Sequence, residues 1–173
     1  MTPKALDCHY SIAGSGSAIF LTHGVGAAED AWRFITPKLS ENFTVITYDL
    51  RGHGKSPVTH KNFGLEELVL DLERVREKAN IDKGHFIGHS LGGMIAPAYA
   101  KKYPEKVLSV GMLSTVAGRS EDDSKKVWGV IKEMEENGVE KTLEKLTTRW
   151  FTDEFIANNS ELVTRRLKQV VDT

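Results

Sequence analysis

One cysteine, Cys8, is all that the 173 residues contain. An internal disulfide is therefore excluded, and the composition suits a reducing cytosol. Neither sign of charge dominates, because 23 Lys plus Arg stand against 24 Asp plus Glu, a net charge of −1. No basic field exists to attract nucleic acid or an anionic membrane, so neither is expected as a partner. No stretch of 18 apolar residues occurs, and the first residues lack an apolar run of signal-peptide length. A cytoplasmic location is the expectation. Metal-ligand spacings and the Gly-x-Gly-x-x-Gly signature are missing too, which predicts neither metal nor cofactor. Repeats and low-complexity tracts are absent.

What is present is an ordinary globular composition, 40% hydrophobic and 27% charged. The length suits one domain with a sizeable core and room for a small appended subdomain. Residues 7–13 alternate weakly, as an edge strand would, with Cys8 a small residue near its start. Gly14-Ser15-Gly16-Ser17 is a turn, predicting a hairpin into Ala18-Ile19-Phe20-Leu21, a run apolar on both faces as in a buried central strand. Trp32 to Leu39 reads as a short helix disturbed by Pro37. Phe43 to Tyr48 is β-branched and aromatic, a strand. The polar, glycine-rich stretch from Asp49 to Pro57 is a loop. Leu65, Leu68, Leu72, Val75 and Ala79 share one helical face.

Next comes His85-Phe86-Ile87-Gly88-His89-Ser90-Leu91-Gly92-Gly93. A strand end, a Gly-x-Ser-x-Gly turn and an alanine-rich helix make the nucleophile-elbow pattern. A serine at such a turn projects its hydroxyl above the sheet, and Gly88 and Gly92 stand where a side chain would crowd it. The helix beginning near Leu91 aims its N-terminal amides at the same spot, which suits a developing negative charge. Thr22-His23-Gly24-Val25-Gly26 follows the buried strand and, in a chain with an elbow, reads as an oxyanion loop. The strand Val107 to Leu113 closes an alternation of strands and helices. That order predicts an α/β fold, a mostly parallel sheet with helices on both faces. Beyond Ser120 no strand is expected, only helices over Lys125–Asn137, Val139–Phe151 and Ser160–Val171. Ser120 and Asp123 suggest a variant capping box. A core over 1–118 and a helical region over 119–173 is the expected division.

The ordered set His23-Gly24, Asp49-x-Arg51-Gly52-His53-Gly54-x-Ser56 and Gly88-His89-Ser90-x-Gly92-Gly93 resembles the α/β-hydrolase superfamily. The closest likeness is to lactonase- and esterase-like members, including 3-oxoadipate enol-lactonases, cofactor-free haloperoxidases and related carbon–carbon hydrolases. The resemblance covers about residues 7–118 and implies Ser90 as nucleophile, with the amides of Leu91 and Val25 as oxyanion hole. His23, Gly24, Gly88, His89 and Gly92 are implied as supports of the site loops, and a small ester or lactone as substrate. Residues after 118 are similar in position to the cap of these enzymes.

The family's triad runs Ser, then Asp or Glu, then His. All six histidines here, His9, His23, His53, His60, His85 and His89, precede Ser90. A serine hydroxyl without a general base is a poor nucleophile. Glu105, Asp122, Asp123 and Asp153 follow Ser90 but fall at a helix end or in the helical region. Val107–Leu113 would be an apolar edge open to strand swapping or self-association. The chain therefore reads as the N-terminal portion of a hydrolase, ending within or just after the cap. Three readings stand: a fragment with the parent's ester- or lactone-cleaving chemistry, half of a complemented or strand-swapped assembly, and a non-catalytic binding module. Residual catalysis would require His23 or His53 to approach Ser90. Of Trp32, Trp128 and Trp150, at least two are expected in the core.

Overall fold

The computed structural model describes residues 4–59 and 62–172, so His60 lies outside them. The chain divides into two compact units, Met1–Val116 and Ala117–Thr173.

The first unit holds β1 (Tyr10–Ala13), β2 (Ser17–Thr22), β3 (Phe43–Tyr48), β4 (Gly84–His89) and β5 (Val107–Leu113) in one sheet, ordered β1-β3-β2-β4-β5. All neighbours run parallel except β1, which pairs antiparallel with β3. The expected hairpin between β1 and β2 is not formed. β2 is apolar on both faces and takes a parallel partner on each side, whereas β1, with Ser11 and Ile12 exposed, goes outside β3. The link between them makes this possible. Gly14 and Gly16 have φ of +77° and +122°, and a Cβ on either would lie 2.3 Å from Ser40 O or 2.4 Å from Asn42 O. Only a glycine linker passes so close across the start of β3.

On one face Phe20, Ile46, Tyr48 and Phe86 meet α2 (Leu65–Lys78) and α3 (Leu91–Lys102) through Leu68, Leu72, Val75, Ile95 and Tyr99. Phe20 stacks on Phe86 at 4.7 Å, and Phe86 meets Tyr99 at 4.3 Å. Burial of each such side chain contributes roughly 1.5–3 kcal/mol, which makes this stack the centre of the core. On the other face Ile19, Leu21 and Val45 pack with Trp32 and Leu39. The helix expected from Trp32 to Leu39 is in two pieces, a 3-10 turn Glu29–Trp32 and α1 (Thr36–Leu39). Pro37 sits in the first turn of α1, where a missing N–H costs little.

The second unit is helical: α4 (Glu121–Asn137), α5 (Val139–Trp150), α6 (Asp153–Asn158) and α7 (Ser160–Val171). Ser120 caps α4, its Oγ accepting the Asp123 N–H at 3.1 Å. α6 was not expected, although Thr152 before Asp153-Glu154 is a capping signal; its hydroxyl accepts the Phe155 N–H at 3.2 Å. Leu143 and Val163 fill the few core positions of this unit, leaving Trp128 69% and Trp150 44% exposed. Of the three tryptophans only Trp32 is buried, fewer than the sequence suggested. Among the described residues no helix is long and apolar enough to cross a membrane.

Candidate active site

β4 ends at His89 and α3 begins at Leu91; Ser90 between them has φ 54° and ψ −115°. A non-glycine residue in that region stores about 1–3 kcal/mol of strain, so the surroundings must hold it there. They do so through the backbone. Ser90 N–H donates to Leu113 O at 2.9 Å, and Ser90 O accepts from Gly93 N–H at 3.0 Å and Thr115 Oγ1 at 2.7 Å. Gly88 and Gly92 allow the close approach: a Cβ on Gly88 would lie 1.9 Å from Gly92 O, and one on Gly92 2.2 Å from Thr22 O. Leu91 is the first helical residue, so its N–H has no partner within α3 and lies at the positive end of a twelve-residue helix.

The loop after β2 reaches the same place. A Cβ on Gly24 would lie 3.0 Å from Ser90 Cβ and 3.5 Å from His89 Nδ1. Val25, next in the loop, is 66% exposed, and His89 is exposed beside Gly24. Thus the strand ends bring Ser90, Leu91, Gly24 and His89 together, from two motifs more than 60 residues apart.

His23 is buried with both ring nitrogens engaged. Its Nε2 accepts the Leu50 N–H at 2.9 Å, which places the ring proton on Nδ1, 2.8 Å from Gly24 O. His53 repeats the arrangement: Nε2 accepts the Gly26 N–H at 3.1 Å, and Nδ1–H donates to Arg51 O at 3.0 Å. The two rings are 5.3 Å apart. Both imidazoles are neutral in this network, and each spends its acceptor nitrogen on a backbone amide. With each acceptor lone pair facing a backbone amide, neither ring offers one to a proton from Ser90 in this arrangement. His85 lies further along β4, its ring nitrogens 2.8 Å from Ser109 Oγ and 3.3 Å from Ser17 Oγ.

The stretch Asp49–Ser56 acts as a clamp on the loop after β2. Asp49 Oδ1 accepts the Glu29 N–H at 2.7 Å and Oδ2 the Lys55 N–H at 2.9 Å. Ser56 Oγ donates to Asp49 O at 2.6 Å and accepts the His9 N–H at 2.9 Å. Arg51 forms a buried bidentate pair with Asp71 of α2, at 2.6 and 2.7 Å, and also donates to Lys4 O and Glu67 O. Asp71 belongs to none of the sequence motifs. Its signal was there: at i+3 from Leu68 and i−4 from Val75, it is an acid on the buried stripe of α2.

His9, Glu29 and Asp49 offer ligand atoms all within 4.8 Å of one another, a grouping that no local spacing reveals. The positive charge there is already supplied by the chain. Lys55 Nζ lies 3.7 Å from Glu29 Oε1 and 3.4 Å from His9 Nε2, while both Asp49 oxygens accept backbone amides. Burial acts to raise the Glu29 carboxyl, but hydrogen bonds from Ser11, His9 and Thr47 outweigh it and hold the group below its usual range. Cys8 is buried, and that burial pushes its thiol up to about 12, so it stays a protonated packing residue.

A mostly parallel sheet with a strained serine between strand and helix, flanked by a glycine loop, is the α/β arrangement of a nucleophile elbow. The family model for the alpha/beta hydrolase fold matches residues 17–159, and the chain belongs to that family. It is 29% identical over 171 residues to 3-oxoadipate enol-lactonase 1 of Acinetobacter baylyi, covering 98% of this chain and 63% of the lactonase. Among solved structures it is similar to the enol-lactonase from Burkholderia xenovorans LB400, with a TM-score of 0.86 and 24% identity, over 95% of this chain and 64% of that one. A thermophilic esterase from Thermogutta terrifontis gives 0.84 and 23% identity, over 95% and 61%. The chain thus spans under two thirds of the length of each of these three proteins.

Proposed function

We propose that this chain carries the nucleophile and oxyanion hole of a serine hydrolase for a small carboxylic ester or lactone. The observation behind this is the strained Ser90 at the N-terminus of α3 with Gly24 packed against it. Ser90 Oγ would attack the carbonyl carbon, and the amides of Leu91 and Val25 would receive the charge on its oxygen. The alkoxide leaves with a proton, and water then releases the acid from the acyl-serine. The lactone side of the reading draws on the enol-lactonase relative. His23, Gly24, Gly88, His89 and Gly92 support the geometry and take no part in proton transfer. The general base is proposed to come from polypeptide other than these 173 residues, because no histidine follows Ser90 and His23 and His53 are occupied.

The test is hydrolysis of p-nitrophenyl acetate by the chain and by Ser90→Ala. The chain alone is expected to give only the residual turnover that binding and an oxyanion hole provide, about 10³–10⁴-fold over water, and Ser90→Ala to match it, because that rate needs no nucleophile. Ser90 should still be acetylated slowly by the activated ester, and an acetyl group that maps by mass to another residue, or that forms equally in Ser90→Ala, would sink the nucleophile assignment. A Ser90-dependent kcat of about 1–10³ s⁻¹ would sink the claim that the base lies elsewhere.

A second reading is favoured by β5. Leu108, Val110, Met112 and Leu113 are 45%, 37%, 48% and 45% exposed on an edge strand without a charge. Here the chain is one part of an assembly completed through that edge, by another polypeptide or by a second copy of itself.

A further inference from the structure

The Gly24–Gly26 loop is held by something more specific than packing. Among the hydrogen bonds that join the segment from His23 to Glu29 to the Asp49–Ser56 stretch are three from backbone amides: Leu50 N–H to His23 Nε2, Gly26 N–H to His53 Nε2, and Glu29 N–H to Asp49 Oδ1. Two of the three acceptors are imidazole nitrogens, and an imidazole accepts only while it is neutral. His23 is 1% exposed, deep under the sheet end. His53 is only partly buried, so its ring is the one of the two that solvent protons reach readily.

We propose that His53 is the positioning residue of the oxyanion loop, a proton-sensitive latch that holds Gly26, and through it the neighbouring Val25 amide, in register with Ser90. This deepens the serine-hydrolase reading and rests on it. The latch depends on one tautomer. Arg51 O accepts the Nδ1 proton at 3.0 Å, which leaves the Nε2 lone pair facing the Gly26 amide at 3.1 Å. Arg51 is itself fixed through its guanidinium on Asp71, so that carbonyl stays where it is. A second proton on the ring would go to Nε2 and set N–H against N–H. The donors must then part. The ring is anchored through Arg51, so Gly26 is the side that yields; at φ +64° it is a glycine able to take up other backbone conformations.

The charged and titratable groups around His53 leave this logic intact. His23, whose ring centre is 5.3 Å away, is neutral in its own network. The Arg51 charge is paired with Asp71, the Lys55 ammonium faces Glu29 and His9, and the Asp49 carboxylate accepts two backbone amides. None of these contacts supplies a carboxylate to Nε2 that could replace the Gly26 amide as partner once the ring is charged.

The test is a pH titration of the ¹⁵N-labelled chain from pH 8 to 5, following the Gly26 amide and the His53 ring. The Gly26 resonance is expected to move with the same midpoint as the His53 ring, and its hydrogen exchange, corrected for intrinsic pH dependence, to speed up by roughly tenfold or more as the hydrogen bond is lost. In His53→Gln the side chain cannot titrate while a carbonyl oxygen can still accept, so the Gly26 movement should vanish. A Gly26 amide indifferent to the His53 midpoint, or one that titrates equally in His53→Gln, overturns the latch. Should His53→Gln fail to fold, the shared midpoint in the unaltered chain decides by itself. Ser90→Ala separates the two readings. Its Gly26 titration should match that of the unaltered chain, so the latch can hold or fail whatever becomes of the nucleophile.

Discussion

At one end of the sheet, β1 offers four residues and is surrounded by polar groups from three directions: Glu29 holds His9, Ser11 and Thr47, Lys55 faces Glu29, and Asp49 caps two amides. At the other end β5 offers seven residues, Val107 to Leu113, with no charge among them and four apolar side chains more than a third exposed. Exposed edges invite further pairing unless a short strand, charge or proline blunts them, and only the β1 end is blunted. Ser90 lies between the two. The Gly24–Gly26 loop beside it depends on the polar end, and the serine's own N–H bonds to Leu113 at the apolar end. The site is therefore secured on one side by contacts this chain completes, and on the other by a strand whose outer edge is open.

The largest effect expected comes from the finished end. Arg51 and Asp71 form a buried pair, 5% and 0% exposed in their side chains, that ties the clamp to α2. Asp71→Asn leaves the guanidinium buried without a counter-charge, and breaking such a pair costs about 3–5 kcal/mol. Urea unfolding should show that loss. A change under about 1 kcal/mol would mean that the pair does not hold the polar end together, and the contrast between the ends would lose its basis.

How much of this could be read beforehand depended on range. The elbow, β3, β5 and α7 follow from local pattern, because each is set by residues a few positions apart: glycines around Ser90, β-branched runs, or an apolar stripe. β1 reads as an edge strand, and it is one, but its neighbour is β3 rather than the β2 of the expected hairpin. Its pairing with β3 depends on Gly14 and Gly16 passing close to Ser40 and Asn42, a contact invisible in a turn signature. The site divided the same way. Ser90, Gly24 and Leu91 are where the motifs put them, yet the use of both nitrogens of His23 and His53 required partners from distant positions. Asp71 could have been found as an acid on an apolar stripe. The His9, Glu29 and Asp49 grouping could not, since its members are 20 residues apart and meet only through the β1–β3 pairing.

A smaller effect is expected midway between the ends, where α2 joins α3. Glu73 accepts from Arg76 at 2.6 and 2.8 Å and from Tyr99 OH at 2.5 Å. Burial acts to raise its carboxyl, but the Arg76 and Tyr99 hydrogen bonds prevail and hold it below the usual range. A depressed carboxyl contributes stability above its unfolded pKa of about 4.3 and loses it as pH falls through the lower folded value. Glu73→Gln should thus cost roughly 1–3 kcal/mol at pH 7. The difference from the unaltered chain should shrink below about pH 4.3. A difference that stays constant from pH 7 to pH 3 would show that the charge on Glu73 does not join the two helices.

The smallest effect on stability, and the most direct probe of the open end, is expected from Met112→Lys. Met112 is 48% exposed near the end of β5, and a lysine there supplies the charge that edge strands use against pairing. Surface substitutions of this kind usually change stability by no more than about 0.5 kcal/mol, because the long stem still covers apolar surface while its ammonium reaches water. Association should respond far more than folding. If copies of the chain pair through β5, sedimentation velocity across a concentration series should show the unaltered chain forming larger species that Met112→Lys abolishes. If another polypeptide is the natural cover, the unaltered chain should still associate weakly and without a fixed stoichiometry, and the lysine should reduce it. A concentration-independent monomer in the unaltered chain would contradict both. The exposed residues of β5 would then be tolerated singly, as apolar atoms on many surfaces are, and the two ends of the sheet would differ in composition without differing in behaviour.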